Sequence, residues 1–377
     1  MEHPVGLAAN GALQPTAFAV QPWREFADHA GWAAIAEHAA EPNPFAESWC
    51  LAAGLEALDR EGAVNLASLA VGDRLVGLLP VVRSLGYERY PLPNIRNWQH
   101  ANAFCGAPLV AKGYEHAFWH GLLHWADRNA RSALFLHLES LPADGALFAA
   151  LREVCSLERR SAAVVHSHAR AMLRSRLSPD AYFDESLSAK KRKELRRQFN
   201  RLSETGNVSF DRRDDAADLE SWIEGFLSLE AAGWKGSEGS ALGCNPATAA
   251  FFRSALSGAA AAGKLERLTI ALDGRPVAML ANFIARPGAF SFKTTYDEAL
   301  ARYSPGVLLQ RENLALLARD DVEWADSCAD PDHPMIDRIW REKRRMVRVS
   351  IAIGGPIRRR AAALLFRAET GAKPEGL

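Results

Sequence analysis

Residues 290–317 have the sequence FSFKTTYDEALARYSPGVLLQRENLALL, and this stretch decides the fold. Between residues 290 and 296 apolar and polar side chains alternate, which is the period of a β-strand. The leucines between residues 308 and 317 recur instead at helical spacing. The stretch therefore predicts a strand, a short polar break and a helix.

The junction before the helix has the pattern of an anion site. Ser304 suits the N-cap position, and Pro305 suits the first helical position because its missing N–H would be unpaired there anyway. Gly306 has no side chain to cover the N–H groups of the first turn. Free N–H groups and the helix dipole both favour negative charge. The alternative is an ordinary capped helix without a ligand.

Composition excludes several classes of protein. A chain of 377 residues has the length of two domains. Lys+Arg and Asp+Glu both count 45, so net charge points to neither nucleic acid nor membrane. No apolar run approaches the ~20 residues that span a bilayer, and no signal-peptide pattern is present at the N-terminus. The five scattered cysteines form no CxxC pair, so we expect buried thiols in a cytoplasmic protein.

The two halves share a strand, turn and strand pattern. It is predicted at residues 64–71 with 75–82, and again at residues 265–272 with 276–284. The segment LAVGDRLVGLL from Leu69 aligns without a gap with IALDGRPVAML from Ile270, 201 residues later. We interpret this as two copies of one unit, against the alternative that two hairpins look alike by chance.

Other elements complete the prediction. Further strands are expected at residues 133–138, 162–173, 322–326 and 346–353. Helices are expected at residues 23–40, 46–60, 114–130, 145–157, 304–319 and 334–342.

This order of elements resembles the GNAT acyltransferase fold. Four segments are more specifically similar to the tandem-GNAT group of CelD/BcsL-type acetyltransferases: LSAKKRKELRRQFNRLSETG from Leu187, FLSLEAAGWKGSEGSAL from Phe226, FKTTYDEALARYSPGVLL from Phe292 and DSCADPDHPMIDRIWREKRRM from Asp326. The resemblance extends to the Fem-type peptidyltransferases, which share tandem GNAT domains and use aminoacyl-tRNA.

The resemblance implies an α/β fold of tandem GNAT-like domains, each a mixed, mostly antiparallel sheet flanked by helices. A degenerate first domain is expected at residues 1–174, and a second with an acyl-coenzyme A (acyl-CoA) site at residues 175–377. The donor would be acetyl-CoA or another acyl-CoA, with its pyrophosphate at the helix start. The expected donor-binding residues are Lys293, Tyr303, Ser304, Pro305, Gly306 and Val307.

Acyl transfer from a thioester to an amine needs a base, an oxyanion donor and an acid for the leaving thiolate. Tyr296 is a candidate acid, with Tyr303 as its rival, and either ring could instead pack in the core. Asp297 is a candidate base or amine-binding carboxylate, and the alternative is a turn cap. Lys293 would contact a phosphate or carboxylate, unless it lies on a solvated face.

The acceptor cleft has its own candidates. Glu230 ends an apolar helix and is a candidate catalytic carboxylate, as is Asp326 at the end of a later strand. Trp234 could stack on a sugar, although a packing role is the alternative. Lys235 and His333 are further candidate substrate contacts, and His333 could equally be an ordinary loop residue. No metal site is predicted.

Residues 188–201 hold seven basic side chains and one acidic one. A solvated helix is the plain interpretation. The functional one is an anion contact with the 3′-phosphate of coenzyme A, an acidic polysaccharide or tRNA.

The preferred hypothesis is an acyl-CoA-dependent N-acyltransferase that acts on a small amine or amino sugar. A link to polysaccharide or cell-envelope synthesis follows from the resemblance alone. The alternatives are aminoacyl-tRNA-dependent transfer and a non-catalytic, degenerate GNAT binding module.

Overall fold

The computed structural model describes residues 5–7, 13–372 and 377, and these form two compact units. Unit 1 comprises Met1–Leu51, Asp59–His168 and Arg345–Leu377, and unit 2 comprises Ala52–Leu58 and Ala169–Arg344. The α/β fold expected from the sequence is confirmed. The domain boundary after residue 174 stays a prediction.

Strands and helices follow in chain order. The strands are β1 (Val5–Leu7), β2 (Leu13–Pro22), β3 (Asn65–Val71), β4 (Arg74–Ser84), β5 (Asn94–Asn97), β6 (Leu109–Val110), β7 (Phe135–Pro142), β8 (Ala162–Leu173), β9 (Val208–Arg213), β10 (Leu265–Leu272), β11 (Arg275–Ala285), β12 (Gly288–Tyr296), β13 (Trp324–Asp326) and β14 (Glu342–Ala352). The α-helices are α1 (His29–Glu37), α2 (Ser48–Leu58), α3 (Glu115–Arg128), α4 (Ala146–Leu157), α5 (Pro179–Ser186), α6 (Ala189–Ser203), α7 (Leu219–Ala231), α8 (Trp234–Ser237), α9 (Pro246–Ala261), α10 (Pro305–Asn313) and α11 (Pro356–Thr370).

Unit 1 has a mixed sheet in the order β1-β2-β3-β4-β5-β7-β14, with β6 also paired to β4. The pairs are antiparallel except β5 with β7. The strand that pairs with β7 comes from the far end of the chain, and α11 follows it. Phe366 of α11 packs edge-on against Phe135 of β7, so α11 contributes to the core of this unit.

Unit 2 has the strand order β9-β10-β11-β12-β13, followed by the end of β8. Strands β12 and β13 are parallel, and the other pairs are antiparallel. The parallel pairing ends at Phe290 and Asp326, whereas β12 continues to Tyr296. Strand β13 ends at Asp326, so β12 has no β13 residue beside it beyond Phe290.

The predicted repeat has structural support. Register shifts occur between Leu69 and Ala70 in the β3–β4 hairpin, and between Ile270 and Ala271 in the β10–β11 hairpin. These positions are the ones that the sequence alignment pairs, 201 residues apart. A bulge at the same aligned position is not explained by a shared hairpin pattern alone.

Three sequence expectations need correction. Residues 334–342 form only a short 3-10 turn, Ile336–Arg338, because Ile336, Ile339 and Trp340 are all buried in the core of unit 2 and β14 begins at Glu342. The helix expected at residues 304–319 ends as an α-helix at Asn313 and continues as a 3-10 helix to Ala318. Cys244 is exposed, whereas the other four cysteines are buried as expected.

No helix in the described part of the chain is long and apolar enough to cross a bilayer.

The topology of unit 2 yields a prediction about fragments. A fragment of residues 175–377 lacks Leu173 and Met172, which pair with Ala325 and Asp326 of β13. We expect this fragment to lose cooperative unfolding, because β13 loses a strand neighbour and its buried polar groups lose their partners. Circular dichroism during heating, with the full chain as control, measures this. A cooperative transition in the fragment would contradict the expectation.

Candidate functional site

A cavity of about 370 Å³ lies at the start of α10 in unit 2. Its walls come from the end of β12, the start of α10, helix α6 and the loop before β14. The side chains and backbone that line it include Tyr296, Ser304, Gly306, Val307, Lys191, Gln198, Pro334, Met335 and Arg338. We call this space the α10 cavity.

The helix start has the predicted positions but a different cap. Ser304 is the N-cap and Pro305 is the first helical residue, as expected. Ser304 has left-handed backbone angles, φ 56° and ψ 48°, and its side chain makes no cap hydrogen bond. Its carbonyl accepts from the N–H groups of Val307 and Leu308. Because Pro305 has no N–H, Gly306 supplies the first N–H of the turn.

Gly306 leaves room that a side chain would fill. A Cβ built there would lie 2.9 Å from Met335 Sδ and 3.0 Å from Tyr296 Cδ1. Both neighbours line the α10 cavity, so the absence of a side chain keeps its floor open.

Charges around the α10 cavity are mixed. Lys191 and Arg338 are exposed cations in its wall. Glu194 also lines it, and its carboxylate pairs with Arg197 at 2.7 Å. The two cations and the positive end of the α10 dipole make the opening of the α10 cavity favourable for an anion.

The two candidate tyrosines lie in different places. Tyr296 is half-buried and lines the α10 cavity. Tyr303 is buried in the core of unit 2, and Arg302 stacks on its ring at 4.7 Å. Only Tyr296 is placed to meet a molecule in the cavity.

Asp297 has the geometry of the turn cap considered as its alternative. Its Oδ1 accepts from the N–H of Ala299 at 3.0 Å, which caps the 3-10 helix Glu298–Tyr303. Its Oδ2 accepts from Arg275. Both carboxylate oxygens are therefore engaged, and the predicted catalytic role has no further structural support.

A second polar group lies on β12, α7, α8 and the loop after β13. Its members are Glu230, Lys235, Lys293, Cys328, Asp330 and His333, and we call it the Lys293 cluster. Buried Glu230 accepts from Lys235 Nζ and from the N–H of Leu242, both at 2.8 Å. Burial, and then the charge of Lys235, lower the pKa of Lys293 to about 8, against the opposing effects of Glu230, Cys328 and Asp330.

His333 belongs to the same electrostatic environment. Burial lowers its pKa, while Asp330 and Asp337 oppose the shift and Lys235 adds to it. Its Nδ1 is buried and makes no hydrogen bond with the described residues. A neutral imidazole with one unused ring nitrogen can accept a proton.

Trp234 begins α8 and is 51% exposed. Its backbone N–H donates to Glu298 Oε1 at 2.8 Å. The ring is therefore not the buried packing residue considered as its alternative.

Asp326 lies in a buried ion cluster. Its side chain has no exposed surface, and its Oδ2 accepts from Arg170 at 2.7 Å and from Arg344 at 2.8 Å. Burial alone would raise the pKa of Asp326, but the two guanidinium charges and the N–H of Cys328 outweigh it and hold the pKa below its usual value. A catalytic role for Asp326 stays a prediction, and the contacts describe a structural one.

Sequence reasoning missed the partners in both groups. Arg170 lies 156 residues from Asp326, and no local pattern links the two. Cys328 and Asp330 lie within the segment that resembles the CelD/BcsL-type proteins, so their position beside His333 was a signal that could have been used.

Replacement of Asp326 should be costly. Asp326→Asn leaves two buried guanidinium groups without their counter-charge, and we expect a loss of about 3–5 kcal/mol of unfolding free energy in urea. Asp321→Asn is the matched control, because that carboxylate also pairs with two arginines but is 31% exposed. The control should lose about 1 kcal/mol or less. Equal losses in the two variants would contradict the buried-cluster interpretation.

Lys293 should make stability depend on pH. Between the folded pKa of about 8 and an unfolded value of about 10.4, the unfolded chain binds more protons, so this residue makes stability rise with pH. We expect Lys293→Met to stabilise the protein most near pH 7.5, with a smaller advantage near pH 9.5. Urea unfolding of parent and variant at both pH values tests this, and an advantage independent of pH would contradict it.

The comparisons with known proteins agree with this geometry. Residues 189–333 match the family model described as an Acetyltransferase (GNAT) domain. No curated protein gave a match.

Among solved structures, the crystal structure of FemX is 10% identical to this chain, with a TM-score of 0.53. The alignment covers 87% of this chain and 96% of the FemX chain. A conserved protein of unknown function from Bacteroides thetaiotaomicron VPI-5482 is 12% identical, with a TM-score of 0.54 and coverage of 87% and 98%. At these identities the likeness concerns the fold. The chain thus shares its α/β fold with these two proteins, and residues 189–333 are similar to a GNAT acetyltransferase domain.

Proposed function

We propose that the protein is an acyl-CoA-dependent N-acyltransferase that acts on a small amine or an amino sugar. The observation that carries the proposal is the α10 cavity, which lies at the start of a helix beside the end of β12. The matching GNAT domain supports a transferase. The donor and the acceptor are inferred from the chemistry of the site.

The α10 cavity suits the phosphate end of the donor. Its volume lies within the range of small-molecule sites, about 300–1,000 Å³. The first turn of α10 favours an anion, and Lys191 and Arg338 can pair with phosphate oxygens. The open floor at Gly306 allows close approach to the backbone.

The end of β12 suits the thioester end of the donor. Beyond Phe290, β12 is no longer paired with β13, so an extended acyl-pantetheine arm could lie along that edge of the strand. Backbone N–H groups on that edge would stabilise the oxyanion. Tyr296, in the cavity wall, is the proposed proton donor to the leaving thiolate.

The Lys293 cluster suits the amine acceptor. The amine nitrogen attacks the thioester carbon, the C–S bond breaks, and one proton must leave the nitrogen while the thiolate gains one. Neutral His333 is our proposed base, taking the proton directly or through one water. Glu230 and Lys235 would bind polar groups of the acceptor, and the exposed ring of Trp234 could stack on a sugar face.

Other parts of the sequence hypothesis rest on this proposal. A cytoplasmic location fits an acyl-CoA donor, and a role in polysaccharide synthesis would follow from an amino-sugar acceptor.

The first test is thermal unfolding with acetyl-CoA, free coenzyme A and longer acyl-CoAs. A ligand at about 100 times its Kd should add roughly 2.7 kcal/mol to the folded state. We expect the shift to be lost in Gly306→Val, which fills the floor, and weakened in Lys191→Glu, which lies on the exposed surface. Gly355→Ala is the control, because a Cβ there meets no neighbouring atom.

Two results would overturn the proposal. One is no shift with any acyl-CoA at about millimolar ligand, a concentration at which even weak sites fill. The other is an undiminished shift in Gly306→Val and Lys191→Glu. Either result would direct the work to aminoacyl-tRNA or to a non-catalytic binding role.

A further inference from the structure

A group of side chains of the types that bind metal ions lies in unit 1. His120 and His124 are one helical turn apart on α3, and Glu158 follows α4. His120 Nδ1 lies 2.9 Å from Glu158 Oε1, and His124 Nε2 lies 3.4 Å from the same oxygen. The two imidazole ring centres are 4.0 Å apart.

We propose that His120, His124 and Glu158 form a binding site for a divalent transition-metal ion of the Zn²⁺ class. Two imidazole nitrogens and one carboxylate oxygen are a ligand set that zinc uses in sites with an open fourth position. Each residue offers one ligand atom, and all three atoms lie within 4.8 Å of one another.

The spacing fits a small ion. With metal–ligand bonds of about 2.0–2.1 Å, neighbouring ligand atoms of a tetrahedral site are about 3.3 Å apart. The two nitrogen-to-oxygen distances, 2.9 and 3.4 Å, bracket this value.

The carboxylate is held in position by a buried arginine. Glu158 Oε2 accepts from Arg160, whose side chain is almost fully buried and also pairs with Asp127 at 2.9 Å. That contact fixes Glu158 through one oxygen and leaves Oε1 directed at the imidazoles. An outer partner that orients a ligating carboxylate is a regular part of protein metal sites. Asp127 pairs with both Arg160 and Arg359, so two carboxylates, Asp127 and Glu158, balance two guanidinium groups here.

The site is open to solvent. The side chains of His120 and His124 are 39% and 43% exposed. An ion can therefore enter, and water can complete its coordination. Zinc is the first choice among divalent ions because imidazole suits it, although copper and nickel prefer the same donors.

The same helix provides a matched control. His116 lies one turn before His120, is exposed, and forms a comparable contact of 2.7 Å with Glu153. Among the described residues, Glu153 pairs with His116 and with no second histidine. His116 therefore makes the same kind of histidine–glutamate contact without a third ligand.

The test uses the full chain without a histidine tag, freed of metal with a chelator. Isothermal titration with Zn²⁺ should give one ion per chain, and Co²⁺ should give the visible absorption of a low-coordinate nitrogen and oxygen site. We expect His120→Gln and His124→Gln each to weaken Zn²⁺ binding at least about tenfold, since even outer-shell partners contribute about 10–100-fold. His116→Gln should leave it within about twofold of the parent.

Circular dichroism of the metal-free variants shows whether each one is folded. Absence of saturable binding at about 100 µM Zn²⁺ would overturn the proposal. So would equal weakening in His116→Gln, or unchanged binding in His120→Gln and His124→Gln. In any of these cases the group is only a set of histidine–glutamate hydrogen bonds.

Discussion

Unit 2 depends on the buried ion cluster of Asp326, Arg170 and Arg344. Asp326 lies on β13, Arg170 on β8 and Arg344 on β14. Strand β8 is far from the other two in sequence, whereas β13 and β14 follow each other along the chain. Burial of the Asp326 carboxylate without both guanidinium groups would cost several kcal/mol of folding free energy. Only an arrangement that brings these three strand ends together is therefore stable. Asp326 is also the last residue of β13 that pairs with β12. The ion cluster thus lies at the point where the pairing of β12 with β13 ends.

The proposed site has two electrically different parts. The α10 cavity has exposed cations and a helix start, so its anion contacts are solvated and weak individually. The Lys293 cluster is more buried, and burial, followed by the charge of Lys235, lowers the pKa of Lys293. This division matches the two substrates of the proposed reaction. The donor carries large fixed charges, whereas the acceptor must present an uncharged amine.

The sequence predicted what depends on local pattern. The hairpins β3–β4 and β10–β11 and the start of α10 at Pro305 all follow from alternation, turn residues and helix-start preferences. The prediction of a helix at residues 334–342 was wrong because the burial of Ile336, Ile339 and Trp340 determines the backbone there instead. From the sequence, Asp297 could be either a base or a turn cap. The choice between the two depends on its contact with Arg275, which the sequence does not show. Arg170 and Glu158 could not be assigned to their partners, because only the folded chain brings such distant segments together.

The course of the chain has a consequence for synthesis. All of unit 2 lies before residue 345, whereas unit 1 is completed only by Arg345–Leu377, which supplies most of β14 and all of α11. Because domains form as the chain emerges, the ribosome releases every residue of unit 2 before unit 1 has its last strand. The first half of the protein, although made first, must therefore wait with the β7 edge of its sheet unpaired. During that interval the nascent chain exposes a strand edge to other molecules, and the final residues remove this exposure.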